Sequence, residues 1–214
     1  MNLRCIGSKC GNIYVRKRYV IRCGETAGNL RILIKNLQTK IAVIQTYRIV
    51  LARSQDIHLI PAIELAAGKL LEDYAPESAQ VEISSEEDLK EAQADGRLWV
   101  ALSDDVPVGF AHVIILESGL AHLEELDVHP NHGRRGLGNK LVDKVCEWVK
   151  GRGYRALTLT TFREPPFNMP FYRRLGFEEL SLEALTSDLR TIVADETRRG
   201  LDPEKRVVMI WRPL

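Results

Sequence analysis

Residues 123–141 read L-E-E-L-D-V-H-P-N-H-G-R-R-G-L-G-N-K-L. The first part of this stretch has the character of a strand end. After the glycines, Leu141, Val142, Val145, Trp148 and Val149 recur at helical spacing, with Lys140, Asp143, Lys144, Glu147 and Lys150 on the opposite face. A strand therefore hands over to a helix through a turn rich in glycine and arginine. A helix start leaves backbone N–H groups unpaired and carries the positive end of the helix dipole, so the junction suits an anion.

Working outward, Gly151 and Gly153 stop the helix, and Y-R-A-L-T-L-T-T over 154–161 follows as a strand. Strand, helix and strand make a right-handed crossover with two parallel strands. F-R-E-P-P-F-N-M-P then leads to a short helix bearing F-Y-R-R-L-G-F. A strand near 177–180, a polar helix between Leu182 and Arg199, and a last strand over 206–211 complete that side. Upstream, Y-R-I-V-L-A-R reads as a first strand, and Ser54 to Asp56 cap a helix carrying Ile57, Ile60, Ile63, Leu65, Leu70 and Leu71. Pro61 belongs to its first turn or to a kink. Ser84 with Glu87, or Ser85 with Asp88, forms a capping box for a second helix, which stops at Gly96. L-W-V-A-L and V-G-F-A-H-V-I-I-L pair as a hairpin across a turn at 104–107, and a strand over 120–128 comes next.

The chain has 214 residues, 28% of them charged, with a net charge of +1. No apolar run approaches the length of a membrane span. The charge is uneven: residues 1–40 hold nine basic side chains against Glu25 alone, a balance of +8, and the remainder carries −7. Residues 1–45 give no clear helix or hairpin pattern and read as a basic, poorly ordered extension; residues 46–214 read as one domain. Cys5, Cys10 and Cys23 lie in the extension, without metal-ligand spacing, and Cys146 lies on the apolar face of the central helix. Reduced thiols, no metal and a cytoplasmic protein are expected. His112, His122, His129 and His132 also lack metal-ligand spacing.

Two phosphate-binding signatures fail on spacing. The nucleotide-hydrolase loop G-x-x-x-x-G-K-[ST] needs a lysine directly after glycine, but Asn139 follows Gly138. The dinucleotide fingerprint G-x-G-x-x-G lacks its third glycine in G-L-G-N-K-L. The plain alternative is a glycine-rich helix start with no ligand. Against it stand the strand ending T-L-T-T and the segment N-M-P-F-Y-R-R-L-G-F, in the right order after the turn.

With these segments the chain resembles the GNAT superfamily of acyl-CoA-dependent N-acyltransferases, over roughly residues 48–212. L-D-V-H-P-N-H-G-R-R-G-L-G is similar to the family's cofactor loop, written Q/R-x-x-G-x-G/A, with Gly136 and Gly138 at its last two fixed positions and Gly133 departing from the first. The resemblance implies a mixed α/β fold: a single domain with a mostly antiparallel central sheet, one parallel strand pair, and flanking helices. It implies acetyl-CoA as co-substrate, the pantetheine arm running along Leu126, Asp127 and Val128, and the pyrophosphate wrapped by Arg134, Arg135, Gly136, Leu137, Gly138 and Asn139. Asn168 is similar to the asparagine that binds the arm, and Tyr172 to the tyrosine beside the thioester sulfur. The amide near Leu126 would stabilise the oxyanion.

An attacking amine must lose a proton. Strict alternation puts His122, Glu124 and Leu126 on one face and Leu123, Glu125 and Asp127 on the other. Glu124 is then the expected base, with His122 as rival and Glu125 as the choice if a bulge shifts the register. The implied activity is acetyl transfer to a primary amine of a small molecule or peptide by direct attack in a ternary complex. The alternatives are a non-catalytic acyl-CoA-binding regulatory module, or a nucleic-acid-binding protein acting through the basic arm, which lacks the aromatic interleaving of such arms. The acidic body favours a cationic acceptor. A homodimer is left open, and no membrane partner is expected.

Overall fold

A computed structural model describes residues 13–15, 19–21, 46–81 and 83–214. Contacts divide the chain into Met1–Ile44 and Gln45–Leu214. In the first unit, β1 (Ile13–Val15) pairs antiparallel with β2 (Tyr19–Ile21). The sequence reading draws no hairpin there; the aromatic and β-branched residues Tyr19, Val20 and Ile21 nonetheless favour extended pairing. The expectation of poor order for residues 1–45 otherwise falls outside the described residues, as do Cys5, Cys10 and Cys23.

The second unit runs β3 (Tyr47–Leu51), α1 (Ile60–Gly68), α2 (Glu77–Gln80), α3 (Glu86–Ala94), β4 (Leu98–Ser103), β5 (Val106–Ile115) and β6 (Ala121–Val128). It continues with α4 (Leu137–Arg152), β7 (Leu157–Phe162), α5 (Met169–Arg174), β8 (Glu178–Glu179), α6 (Ser187–Arg198) and β9 (Arg206–Trp211). The sheet order is β3-β4-β5-β6-β7-β9-β8. Every neighbouring pair is antiparallel except β6 and β7. The expected mixed α/β architecture is therefore the observed one. Among the described residues, no helix is long and apolar enough to cross a membrane.

Strand alternation builds the two faces. From β4, Trp99 and Ala101 face α4, where they meet Leu141, Val142, Val145 and Val149. Leu98, Val100 and Leu102 face the opposite way, against Ile60 and Ile63 of α1 and Leu89 and Ala92 of α3. From β9, Val207 and Met209 join the α4 side, while Val208 and Ile210 pack on Leu189 at the start of α6. Burying each such aliphatic side chain stabilises the fold by roughly 1.5–3 kcal/mol before entropy is counted. The sheet is thus sandwiched, with α4 on one face and α1, α3 and α6 on the other.

Local signals behave as their chemistry dictates. Ser85 caps α3, its Oγ accepting from the Asp88 amide at 3.1 Å and donating to the Asp88 carboxylate at 2.6 Å. Asp104 and Asp105 both adopt positive φ, as a two-residue hairpin turn demands. The first helix differs from expectation. A 3₁₀ segment, Ser54–Leu59, precedes α1; within the expected capping stretch 54–56 it is Asp56 that caps, accepting from the Arg53 amide at 2.8 Å. Pro61 then sits in the first turn of α1, where its missing N–H costs nothing.

Candidate active site

Two strand irregularities create the site. The first is a splay. β6 and β7 pair only at Ala121↔Leu157 and His122↔Thr158. Beyond those pairs, β6 keeps its outer partner β5 as far as Val128, and β7 keeps β9 as far as Phe162. Their facing edges therefore present backbone N–H and C=O groups that no ladder satisfies, and such groups call for a hydrogen-bonding occupant. The joint is pinned by buried His122, whose Nδ1 lies 2.9 Å from Thr158 Oγ1; that hydroxyl donates to the Ala121 carbonyl at 3.1 Å. Burial pushes the His122 imidazole down to about 4, so it is neutral near pH 7. Its role is to hold the hinge of the gap.

The second irregularity is a bulge. On β6, Glu125 pairs with His112 while Leu123 pairs with Val113, which leaves Glu124 as an extra residue. The alternation expected from the sequence breaks here. Ala121, Leu123, Leu126 and Val128 all pack on the α4 side, and Leu126 no longer shares a face with His122 and Glu124. Glu125 and Asp127 are turned to the α1 face, where the Glu64 carboxylate interacts with both. Burial, Glu64 and Glu124 together raise Glu125 to about 7, with the nearby Leu126 amide holding the rise back. Asp127 is raised well above the usual carboxylate range by burial, Glu125 and Glu64. Glu124 lies closer to solvent, its side chain 45% exposed and its Oε2 4.0 Å from His122 Nε2.

Tyr172, on α5, packs in the α4-side cluster and lies near enough to Glu125 and Asp127 for their charges to act on its hydroxyl. It is buried between Phe171 and Phe177, and burial, with Glu125 and Asp127 nearby, keeps its hydroxyl protonated. Asn168, just before α5, donates from Nδ2 to Thr161 Oγ1 at 2.8 Å, while its buried Oδ1 has no hydrogen-bond partner among the described residues. An orphaned amide oxygen at the mouth of the splay fits an amide-bearing arm, which would donate to it.

The glycine turn closes the open end. A Cβ at Gly133 would lie 3.2 Å from the Pro130 carbonyl oxygen, so the position that departs from the family pattern sits in a turn that crowds larger side chains. Arg134 and Gly136 take left-handed φ values of 56° and 74°. Gly136 is the N-cap of α4, and no side chain caps that end. The first-turn amides of Leu137, Gly138 and Asn139 thus have no side-chain cap, at the kind of end of a 16-residue helix that suits an anion. A Cβ at Gly138 would stand 3.3 Å from the Phe171 ring, so the loop and α5 approach closely. Arg134 is exposed beside the loop. Arg135 is turned to β3, donating to Tyr47 Oη at 2.8 Å and lying over its ring.

Of the expected residues, Glu124, Leu126, Asp127 and Val128 lie on β6 where it leaves β7, Gly136, Leu137, Gly138 and Asn139 lie at the start of α4 with Arg134 exposed beside them, Asn168 and Tyr172 lie at α5, and Arg135 is directed toward Tyr47; Glu64 on α1 is a further carboxylate. Glu125 enters through the bulge. Glu64 was missed by sequence reasoning, although a lone glutamate in the apolar run I-P-A-I-E-L-A-A-G was its signal. Burial pushes the Cys146 thiol up to about 12, which leaves it unreactive.

Known proteins share this fold. The profile of the acetyltransferase (GNAT) family matches residues 67–177, just over half of the chain. An uncharacterized N-acetyltransferase of Methanocaldococcus jannaschii is 40% identical over 60 residues, which cover 28% of this chain and 26% of that protein. The chain thus spans about a quarter of that curated relative's length. Among solved structures, the PaiA N-acetyltransferase of Thermoplasma acidophilum, in complex with coenzyme A, aligns with a TM-score of 0.61 at 16% identity, over 78% of this chain and 99% of that one. N-acetylglutamate synthase of Neisseria gonorrhoeae, with coenzyme A and N-acetyl-glutamate, aligns at 0.59 and 20% identity over 78% of this chain and 35% of its own. These likenesses establish the fold, and with the profile match they establish that the chain belongs to the acetyltransferase (GNAT) family.

Proposed function

We propose that the protein transfers the acetyl group of acetyl-CoA to a primary amine by direct attack within a ternary complex. The observation that carries this reading is the splay of β6 from β7, with a helix N-terminus at its mouth and Glu125 and Tyr172 beside it. Solved relatives in complex with coenzyme A support the same co-substrate. The amides of Gly136, Leu137, Gly138 and Asn139, with Arg134 nearby, hold the pyrophosphate. The unpaired edges of Leu126, Asp127 and Val128, and Asn168 Oδ1, hold the pantetheine arm.

The acceptor reaches the thioester from the α1 face. Its nitrogen lone pair attacks the carbonyl carbon, a C–N bond forms, and the C–S bond breaks. Glu125 takes the proton released by nitrogen, a task for which a value of about 7 is well matched. Glu124, expected from alternation to do this, sits nearer solvent at the bulge and supports the negative field instead. Tyr172 supplies a proton to the departing sulfur. Its raised pKa keeps it loaded as a donor, and solvent restores the proton afterwards.

The test is acetyl-CoA turnover with a panel of primary amines, read as free thiol. The expected result is thiol release dependent on both substrates, reduced about 10- to 100-fold in kcat by Tyr172→Phe with little change in the KM for acetyl-CoA. Acetyl-CoA binding without thiol release across the panel favours the regulatory-module reading. An unchanged rate in Tyr172→Phe removes that residue from the proton path.

A further inference from the structure

Glu64 is out of place in energetic terms. It lies on the apolar helix α1 and is only 5% exposed. Its Oε1 accepts from the Ser84 amide at 3.1 Å and from the Ser84 hydroxyl at 2.5 Å. Its Oε2 is buried with no hydrogen-bond partner among the described residues. The carboxylate acts on Glu125 and Asp127 across the sheet face, both of them half-buried. Three carboxylates therefore share one low-dielectric region, where a buried charge without a counter-charge is costly.

Among the described residues there is little compensation. Arg206 acts on Glu125, but its guanidinium is already committed: Nε donates to Glu196 Oε2 at 3.0 Å and Nη2 to Glu196 Oε1 at 2.5 Å and to Thr160 Oγ1 at 3.0 Å. A metal ion does not answer the need, since no group of three acidic, histidine or cysteine side chains among the described residues could hold one. Proton removal from the acceptor uses one carboxylate, Glu125. Glu64, whose Oε2 has no hydrogen-bond partner among the described residues, remains to be balanced by something that arrives with the substrate, while Asp127, which retains its proton, offers a carbonyl oxygen beside it.

We propose that the acceptor is a linear di- or polyamine, one amino group being acetylated while a second, still ammonium, is held by Glu64 and Asp127. This rests on the transferase reading above and adds the acceptor class to it. An ammonium donates up to three hydrogen bonds, and one of them meets the orphan Oε2 of Glu64. A monoamine of equal length leaves Glu64 Oε2 unpaired and binds more weakly. The same carboxylates disfavour acidic acceptors by like-charge repulsion.

The experiment is calorimetric titration of the full chain, saturated with coenzyme A, with 1,4-diaminobutane and with butylamine. Thiol release from acetyl-CoA is measured with the same two amines. The diamine should bind about 10- to 100-fold more tightly than the monoamine, and its KM should be lower by a similar factor. Glu64→Gln, which retains an acceptor for Ser84, should shrink that ratio toward one, chiefly through the diamine. Asp127→Ala, which removes that carbonyl oxygen, should do the same and guards against a local folding effect at α1. Equal affinities for the two amines, or a preference that survives in both variants, overturns the acceptor assignment while leaving the transferase reading intact. Absence of thiol release with every amine tried overturns the transferase reading and the acceptor assignment with it.

Discussion

Glu125→Gln should lower kcat by about 10²- to 10⁴-fold at pH 7.5, the range expected when a general base is removed, with the KM for acetyl-CoA nearly unchanged. Glutamine keeps the shape and a hydrogen-bonding oxygen but cannot take the proton. The pH profile gives the sharper reading. With Glu125 near 7, wild-type kcat should fall about tenfold per pH unit below that value, because the protonated carboxyl cannot accept a second proton. In Glu125→Gln that limb should disappear. Glu124→Gln, at the exposed bulge, should cost less than about tenfold. The reverse order of effects would return the base to Glu124.

Stability separates loss of function from loss of fold. The folded pKa of Glu125 is raised above its ordinary 4.5, so the native state binds this proton more tightly than the unfolded chain does. Its contribution is then fully present below about 4.5 and is lost as pH rises through about 7. Neutral glutamine stays in the favourable state at every pH. Glu125→Gln should therefore melt no lower than wild type at pH 8, while being nearly inactive. A lowered midpoint would assign the activity loss to misfolding.

Gly136→Val should act on the other half of the reaction. Gly136 has φ 74° and ψ 15°, and a Cβ added there would meet nothing within 4 Å, so the objection to a side chain is conformational. A β-branched residue in the left-handed region costs about 1–3 kcal/mol, which the turn would relieve by rotating the first amides of α4 out of line. The KM for acetyl-CoA should rise about tenfold or more, with kcat at saturation changed far less. Gly136→Asn should recover much of the affinity, since asparagine tolerates left-handed φ. Equal affinity in wild type and Gly136→Val would mean that the loop amides do not hold the cofactor.

The two effects trace how much of the site could be read in the sequence. The glycine turn was legible because its signals are local: left-handed glycine, helix start and missing side-chain cap all lie within a few residues. The order of strands and helices was legible for the same reason, since each element carries its own period. The face on which Glu125 points was not. L-E-E-L-D-V alternates imperfectly, and only pairing with β5 shows that Glu124 is extra, because a bulge is a property of two strands. Glu64 was hidden more deeply. The apolar run around Glu64 hints at its burial, but nothing in α1 shows that it meets two carboxylates some sixty residues away in sequence. The Arg206, Glu196 and Thr160 cluster was also invisible, being assembled from three separate elements.

The most direct test is a crystal structure of the full chain with coenzyme A. The account predicts the pyrophosphate on the amides of Gly136 to Asn139, the pantetheine arm between β6 and β7 beyond His122 and Thr158, and the sulfur beside Tyr172 with the Glu125 carboxylate opening onto the same space. A cofactor bound elsewhere, or an arm running outside an undisturbed splay with Glu125 turned away from the sulfur, would contradict it.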